Sequence, residues 1–180
     1  MFNPYLERFE QLSEEKFQSF ASRRDLVKHY SWAVPNKEAI EYLVSLSPIV
    51  ELGAGTGYWA KVIQEAGGII YAFDEKPYNN HWCDNQWTEI LLMDSVDEVV
   101  KGLDYTLFLC WPPYDNPFAY QCLKTYTGNN FVYVGESSGG CTGDDDFHNL
   151  LNEEWEEDKI INIPQFWGIN DYLISYTRKQ

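Results

Sequence analysis

The stretch from Pro48 to Gly68, reading PIVELGAGTGYWAKVIQEAGG, constrains the fold of this chain more than any other. Ile49 to Leu52 has the length and apolar character of a buried strand, and Trp59 to Ala66 spaces its apolar residues as a helix does. The glycines at 53, 55 and 57 therefore fall in a strand-to-helix turn. Glycine lets the chain turn sharply there, lets backbone amides approach a ligand with no Cβ in the way, and opens a helix N-terminus toward a bound group. A flat, charged ligand is expected on such a loop.

The rest of the chain repeats the same alternation. Strands are expected at Ile69 to Phe73, Ile90 to Met93, Leu107 to Trp111 and Phe131 to Gly135, with helices at Val96 to Lys101, Phe118 to Tyr126 and Phe147 to Trp155. Alternating β and α elements build a parallel sheet covered on both faces. The ending departs from this, because Lys159 to Ile163 and Asp171 to Tyr176 are joined by PQFWGIN rather than by a helix. The expected fold is thus α/β, a doubly wound, mostly parallel seven-stranded sheet with a C-terminal antiparallel β-hairpin. Ahead of it, Ser22-Arg23-Arg24-Asp25 reads as a capping box opening a helix through Tyr30, and a second helix runs from Asn36 until Ser47-Pro48. Residues 1–180 are read as a single domain, with 1–35 a helical extension and 36–180 the ligand-binding core. The acidic run Glu153 to Asp158, interrupted by Trp155, reads as a solvated helix end, and Arg23-Arg24 as a solvated helix face.

Charge narrows the partners. Lys and Arg number 13 against 28 Asp and Glu, a formal charge of −15 that repels phosphate backbones and anionic lipid, so nucleic acid is not expected as a substrate. Apolar runs stop short of a bilayer span and the N-terminus lacks a secretory pattern, which points to no membrane and a cytoplasmic location. Cys83, Cys110, Cys122 and Cys141 have no metal-ligand spacing, so no metal is expected and the thiols read as free and mostly buried.

A dinucleotide loop would read GxGxxG, but here the spacing is GxGxG, preceded by Glu51. A carboxylate beside a pyrophosphate is unfavourable, whereas beside an ammonium group it accepts hydrogen bonds. ELGAGTG resembles the first motif of the class I S-adenosylmethionine (SAM)-dependent methyltransferases. That resemblance implies SAM as cofactor, with Glu51, Gly53, Ala54, Gly55 and Gly57 around its methionine portion. By the same resemblance Asp74, or its neighbour Glu75, receives the ribose hydroxyls, and Asp94 with Ser95 the adenine, although Asp94 also suits a helix cap. Cys110 and Trp111, ending the fourth strand, complete the implied cofactor set.

The acceptor side departs from the family. In FLCWPPYDNPF, Trp111 occupies the position where methyltransferases acting on amino groups carry Asp, Asn or Ser before Pro-Pro-Tyr, and an indole donates but does not accept a hydrogen bond. Trp111, Tyr114 and Phe118 read either as an aromatic acceptor wall or as packing. Glu136, at the carboxyl edge of the fifth strand, is the first candidate for a general base; Tyr114 and Asp115 are the other catalytic candidates, ahead of His148 and His81. Gly139-Gly140 and Cys141 to Asp146 read as a mobile loop over substrate, and Tyr30 and Trp32 as aromatics that close over the ligands or simply pack. The expected activity is methyl transfer to a small molecule or protein side chain, with a flat or cationic acceptor. Its rivals are a non-catalytic SAM-binding sensor or scaffold and an aminopropyltransferase-like enzyme.

Overall fold

A computed structural model describes residues 1–14, 20–77 and 83–180. Three helices come first: α1 (Pro4–Glu14), α2 (Phe20–His29) and α3 (Lys37–Ser45). The alternating part follows as β1 (Ile49–Leu52), α4 (Tyr58–Glu65), β2 (Ile70–Asp74), β3 (Leu91–Leu92), α5 (Val96–Val100), β4 (Thr106–Cys110), α6 (Phe118–Thr125), β5 (Asn130–Gly135) and α7 (Asp145–Glu154), and the hairpin β6 (Trp155–Asn162) and β7 (Tyr172–Arg178) ends it. One sheet takes all the strands in the order β3-β2-β1-β4-β5-β7-β6. β1 to β5 pair in parallel, and β7 inserts antiparallel between β5 and β6.

Both faces of the central strands are covered, which is why β1 is buried at all four positions instead of alternating. Leu107 and Leu109 pack on one face with Phe131, Tyr133 and Phe147, whereas Phe108 and Val132 pack on the other with Trp59 and Ile63. A third apolar cluster joins α1 to the core: Tyr5 and Phe9 meet Val34, Ile40, Tyr58, Val62 and Phe166. The Tyr58 hydroxyl ties this contact, donating to Asn3 Oδ1 at 2.8 Å and accepting from the Tyr5 amide at 3.0 Å.

Caps mark several boundaries. Asn36 accepts from the Ala39 amide at 2.9 Å to start α3, and Asp144 from the Phe147 amide at 2.9 Å to start α7. Helix α2 already contains Ser22 in its second half-turn, so the expected capping box at that residue is not where the helix begins. The acidic run also divides differently: Glu153 and Glu154 end α7, while Trp155 turns into the sheet and begins β6, leaving Glu156, Glu157 and Asp158 on an exposed strand. Trp155 is 2% exposed, and burying it against Phe131 sets that boundary. His81 lies outside the described residues. Among the described residues no helix is long and apolar enough to cross a membrane.

Candidate functional site

In an open α/β sheet the ligand crevice lies outside the carboxyl ends of the strands, where the strand order reverses. Here that point is between β1 and β4, and a cleft of about 550 Å³ opens there, a size suited to a small-molecule ligand. Residues Glu51 to Thr56 line it from β1, Asp74 to Lys76 from β2, Met93 from β3, Cys110 to Asn116 from β4, and Val27, Ser31 and Trp32 from the N-terminal segment.

The glycine loop is shaped for close approach. Gly53, Gly55 and Gly57 have φ of 70°, 58° and 71°, which side-chain-bearing residues rarely adopt. A Cβ on Gly53 would come within 3.0 Å of the Phe118 ring, and one on Gly57 within 3.0 Å of Thr88. Gly57 is the N-cap of α4 and does not line the cleft, so its requirement is packing and turn geometry, whereas Gly53, Ala54 and Gly55 lie on the cleft wall. Thr56 fixes the loop from outside: its hydroxyl donates to the Tyr30 carbonyl and its own carbonyl accepts from the Trp87 amide at 2.8 Å.

Glu51 sits at the root of this loop, 2% exposed, and its Oε2 has no hydrogen-bond partner. Burial, together with the charge of Asp74, pushes its carboxyl up to about 8. An orphaned carboxylate oxygen at a cleft wall is a group awaiting a donor. Asp74 behaves differently. It is 7% exposed although it ends β2, and two backbone amides converge on it: Gly55 donates to Oδ2 and Lys76 to Oδ1, each at 3.0 Å. It still lines the cleft and retains unused lone pairs, as a carboxylate accepts up to about four bonds. Glu75 is exposed at the same rim.

Asp94 and Ser95 are both exposed and neither lines the cleft; Met93 does. Ser95, not Asp94, caps α5, accepting from the Glu98 amide at 3.4 Å. Cys110 lines the cleft beside Glu51, and burial pushes its thiol well above the ordinary value, so no thiolate nucleophile forms there.

Trp111 has the only positive φ, 53°, outside glycine among the described residues. Such a conformation costs on the order of 1 kcal/mol or more and persists only where the surroundings hold it. They do: its amide donates to the Val134 carbonyl at 2.8 Å, its Nε1 donates to Asp171 Oδ2 at 2.8 Å, and its ring stacks on Trp32 at 5.4 Å between centroids. Arg23 lies 5.2 Å from both ring centroids, so it is not the solvated residue its sequence neighbours suggest; Arg24, paired with Asp25 at 3.8 Å, is. Asp171 is buried, its Oδ1 is unpartnered, and burial raises its carboxyl to about 6. The sequence reading missed both Arg23 and Asp171.

Tyr114 and Asp115 are exposed at the cleft mouth, on its lining. Glu136 is not on that lining. It is 7% exposed, and its two oxygens accept from the Asn170 and Cys141 amides at 2.8 Å each, so it clamps two loops together instead of facing the ligand crevice. Cys141 to Asp146 is anchored too, contrary to the mobile loop expected there: Thr142 is fully buried, its hydroxyl accepts from the Glu136 amide at 2.7 Å, and the Gly143 amide donates to the Pro112 carbonyl at 2.9 Å. His148 bonds the Thr142 carbonyl at 2.9 Å and serves the same anchor. Tyr30 stacks on Tyr5 and Trp87 away from the cleft, whereas Trp32 lines it. Among the described residues no group of His, Cys, Asp and Glu is placed to hold a metal.

No family model and no curated protein sequence matches the chain. Solved structures do. Magnesium protoporphyrin IX methyltransferase from Synechocystis PCC 6803 with bound SAM is similar at a TM-score of 0.55 and 10% identity, over 95% of this chain and 97% of that one. The pyocyanin biosynthetic protein PhzM is similar at 0.55 and 15% identity, over 78% of this chain and 54% of that one. The N-methyltransferase NodS from Bradyrhizobium japonicum WM9, in complex with S-adenosyl-l-homocysteine (SAH), is similar at 0.52 and 13% identity, over 79% of this chain and 86% of that one. The chain has the fold of the class I SAM-dependent methyltransferases, hairpin included.

Proposed function

We propose that the chain is a SAM-dependent methyltransferase acting on a small molecule, with SAM in the cleft between β1 and β4. The observation that carries this reading is Glu51, a buried carboxylate on the lining of a cleft edged by left-handed glycines, with its Oε2 left unpartnered. An ammonium group supplies the missing donor, and its positive charge offsets the burial that holds the carboxyl near 8. Gly53 to Gly55 let the methionine portion lie against backbone, and Asp74, already oriented by the Gly55 and Lys76 amides, has lone pairs left for ribose hydroxyls. Two structures of the same fold, the Synechocystis methyltransferase and NodS, carry names and ligands that agree with this reading. Asp94 and Ser95, exposed beyond the cleft lining, are the weakest members of the proposed cofactor set, with Met93 the better placed.

The cofactor, when bound, supplies a methyl group on a sulfonium. The chain's part is to hold the donor and acceptor in line and to exclude water, since displacement at a methyl carbon needs alignment above all. A base is required only when the acceptor must lose a proton. Glu136 is poorly placed for that because both its oxygens are engaged by amides; Asp115, on the lining at the mouth, is the carboxylate that reaches an acceptor, with Tyr114 beside it.

Calorimetry with SAM and SAH tests the donor, and transfer of a labelled methyl from SAM into a fractionated lysate tests the activity. Binding with label in the small-molecule pool supports the proposal. Binding without label in any pool makes the chain a SAM-binding sensor or scaffold, and absence of binding removes the cofactor.

A further inference from the structure

The end of the cleft beyond the glycine loop carries information on the acceptor itself. Trp32 and Trp111 line it as a stacked pair, their planes 18° apart, and Tyr114 and Phe118 line it as well. The pair is pre-built: Trp111 keeps a disfavoured backbone conformation through its amide, its indole N–H and its ring contacts, so the indole is held there whether or not a ligand is present. Flat, rigid walls of this kind stack flat molecules.

The charge around the pair selects among them. The Arg23 guanidinium lies against both indoles, and its Nε and Nη2 are buried with no hydrogen-bond partner; it closes no ion pair among the described residues. A ring already serving one cation is a poor site for a second. The carboxylates nearby do not change that once the cofactor is bound, since Glu51 and Asp74, on the same cleft lining, then serve it, and Glu75 is exposed at the rim. Both oxygens of Glu136 accept backbone amides, Asp171 uses Oδ2 on Trp111, and the free Oδ1 of Asp171 is sealed behind the indole, off the cleft lining, where its field acts on Arg23. Tyr5, which also faces Arg23, is held protonated by burial. Asp115 is exposed at the mouth, where water screens it. The Pro112 carbonyl already accepts from the Gly143 amide.

We propose that the methyl acceptor is a flat aromatic molecule with no cationic group, stacked on the Trp32–Trp111 pair. This rests on the methyltransferase reading and chooses between the flat and the cationic acceptors that the aromatic lining alone allows.

The test measures dissociation constants of 2-naphthol and of protonated 2-naphthylmethylamine, each with and without saturating SAH. The neutral probe is expected to bind about tenfold tighter than the cationic one, the size of a cation–π term of roughly 1.4 kcal/mol. Arg23→Met brings the two to parity, and Arg23→Lys keeps the preference. Trp111→Ala weakens the neutral probe about tenfold, and Trp111→Phe restores it. Melting temperatures of all four variants separate lost binding from lost folding. A cationic probe that binds as tightly as naphthol, or a preference that survives Arg23→Met, overturns the proposal. Failure of the wild-type protein to bind SAH removes the cofactor reading alone, and the naphthol ratio without SAH, measured in the Glu51→Gln background so that no carboxylate there captures the ammonium, still decides the aromatic site.

Discussion

Replacing Glu51 by Gln keeps the size and shape of the side chain while removing its charge and exchanging one acceptor oxygen for an N–H donor. In the folded chain this carboxyl is raised from 4.5 to about 8, with burial the main cause and Asp74 the second. Between those values the folded state holds a proton that the unfolded state has released. Stability contributed by Glu51 is therefore complete below about pH 4.5 and is lost as pH rises toward 8. The slope is about 1.4 kcal/mol per pH unit, so the wild type should lose about 4 kcal/mol through this one group between about pH 5 and pH 8. At about 2–4 °C per kcal/mol for a chain of this size, that is roughly ten degrees of melting temperature. Asp171, also raised, tilts the curve in the same direction, but in both proteins alike. Thermal melts of wild type and Glu51→Gln across this range should diverge from near coincidence at pH 5 to a more stable variant at pH 8. SAH reverses the ranking: the wild type binds it more tightly as pH rises to about 8, and the variant, lacking a charge-assisted bond worth about 1.5–3 kcal/mol, binds about ten- to a hundredfold more weakly with a flat profile. Parallel melting profiles, or equal SAH affinity, would refute the assignment of Glu51 as a buried carboxylate awaiting a cation.

Two further substitutions separate ligand contacts from scaffold. Asp74→Ala removes the acceptor of both the Gly55 and the Lys76 amides, so it should lower stability in urea by about 1–3 kcal/mol as well as weakening SAH; affinity lost with unchanged stability would mean those two bonds contribute nothing. Thr142→Val strips the buried hydroxyl that receives the Glu136 amide and contacts the Tyr133 hydroxyl, and should cost about 1–3 kcal/mol in the same assay while SAH affinity measured by calorimetry stays as in the wild type.

What the sequence discloses is local. β1 is found at its expected residues because four consecutive buried positions between a proline and a glycine have one reading, and Glu51 stands out because its neighbours are apolar. The glycines announce their turn through spacing alone. Features joining distant segments are not visible this way. Asp171 reaches Trp111 only because β7 enters the sheet beside β5, and no pattern in either segment states that pairing. Arg23 and Arg24 are adjacent in sequence and differ only in which side of α2 meets the indoles. Glu136 has the position of a catalytic base by strand order, and its actual partners are amides from residues 141 and 170 that come together through the loops. Trp155 shows the same limit at a boundary, since eight residues rich in Glu and Asp become a strand once an indole has somewhere to bury.

That strand has a consequence for how the molecule behaves in a crowded solution. A sheet that is not closed has two rims, each offering unpaired peptide groups to any extended chain that drifts past. One rim of this sheet is β3, only two residues long, too short to template much. The other is β6, eight residues long and otherwise an open invitation to self-association. Glu156, Glu157 and Asp158 stand exposed along it, so a second copy approaching edge to edge would bring like charges together before any backbone bond could form. Part of the chain's excess of acid is thereby spent on keeping the sheet finite.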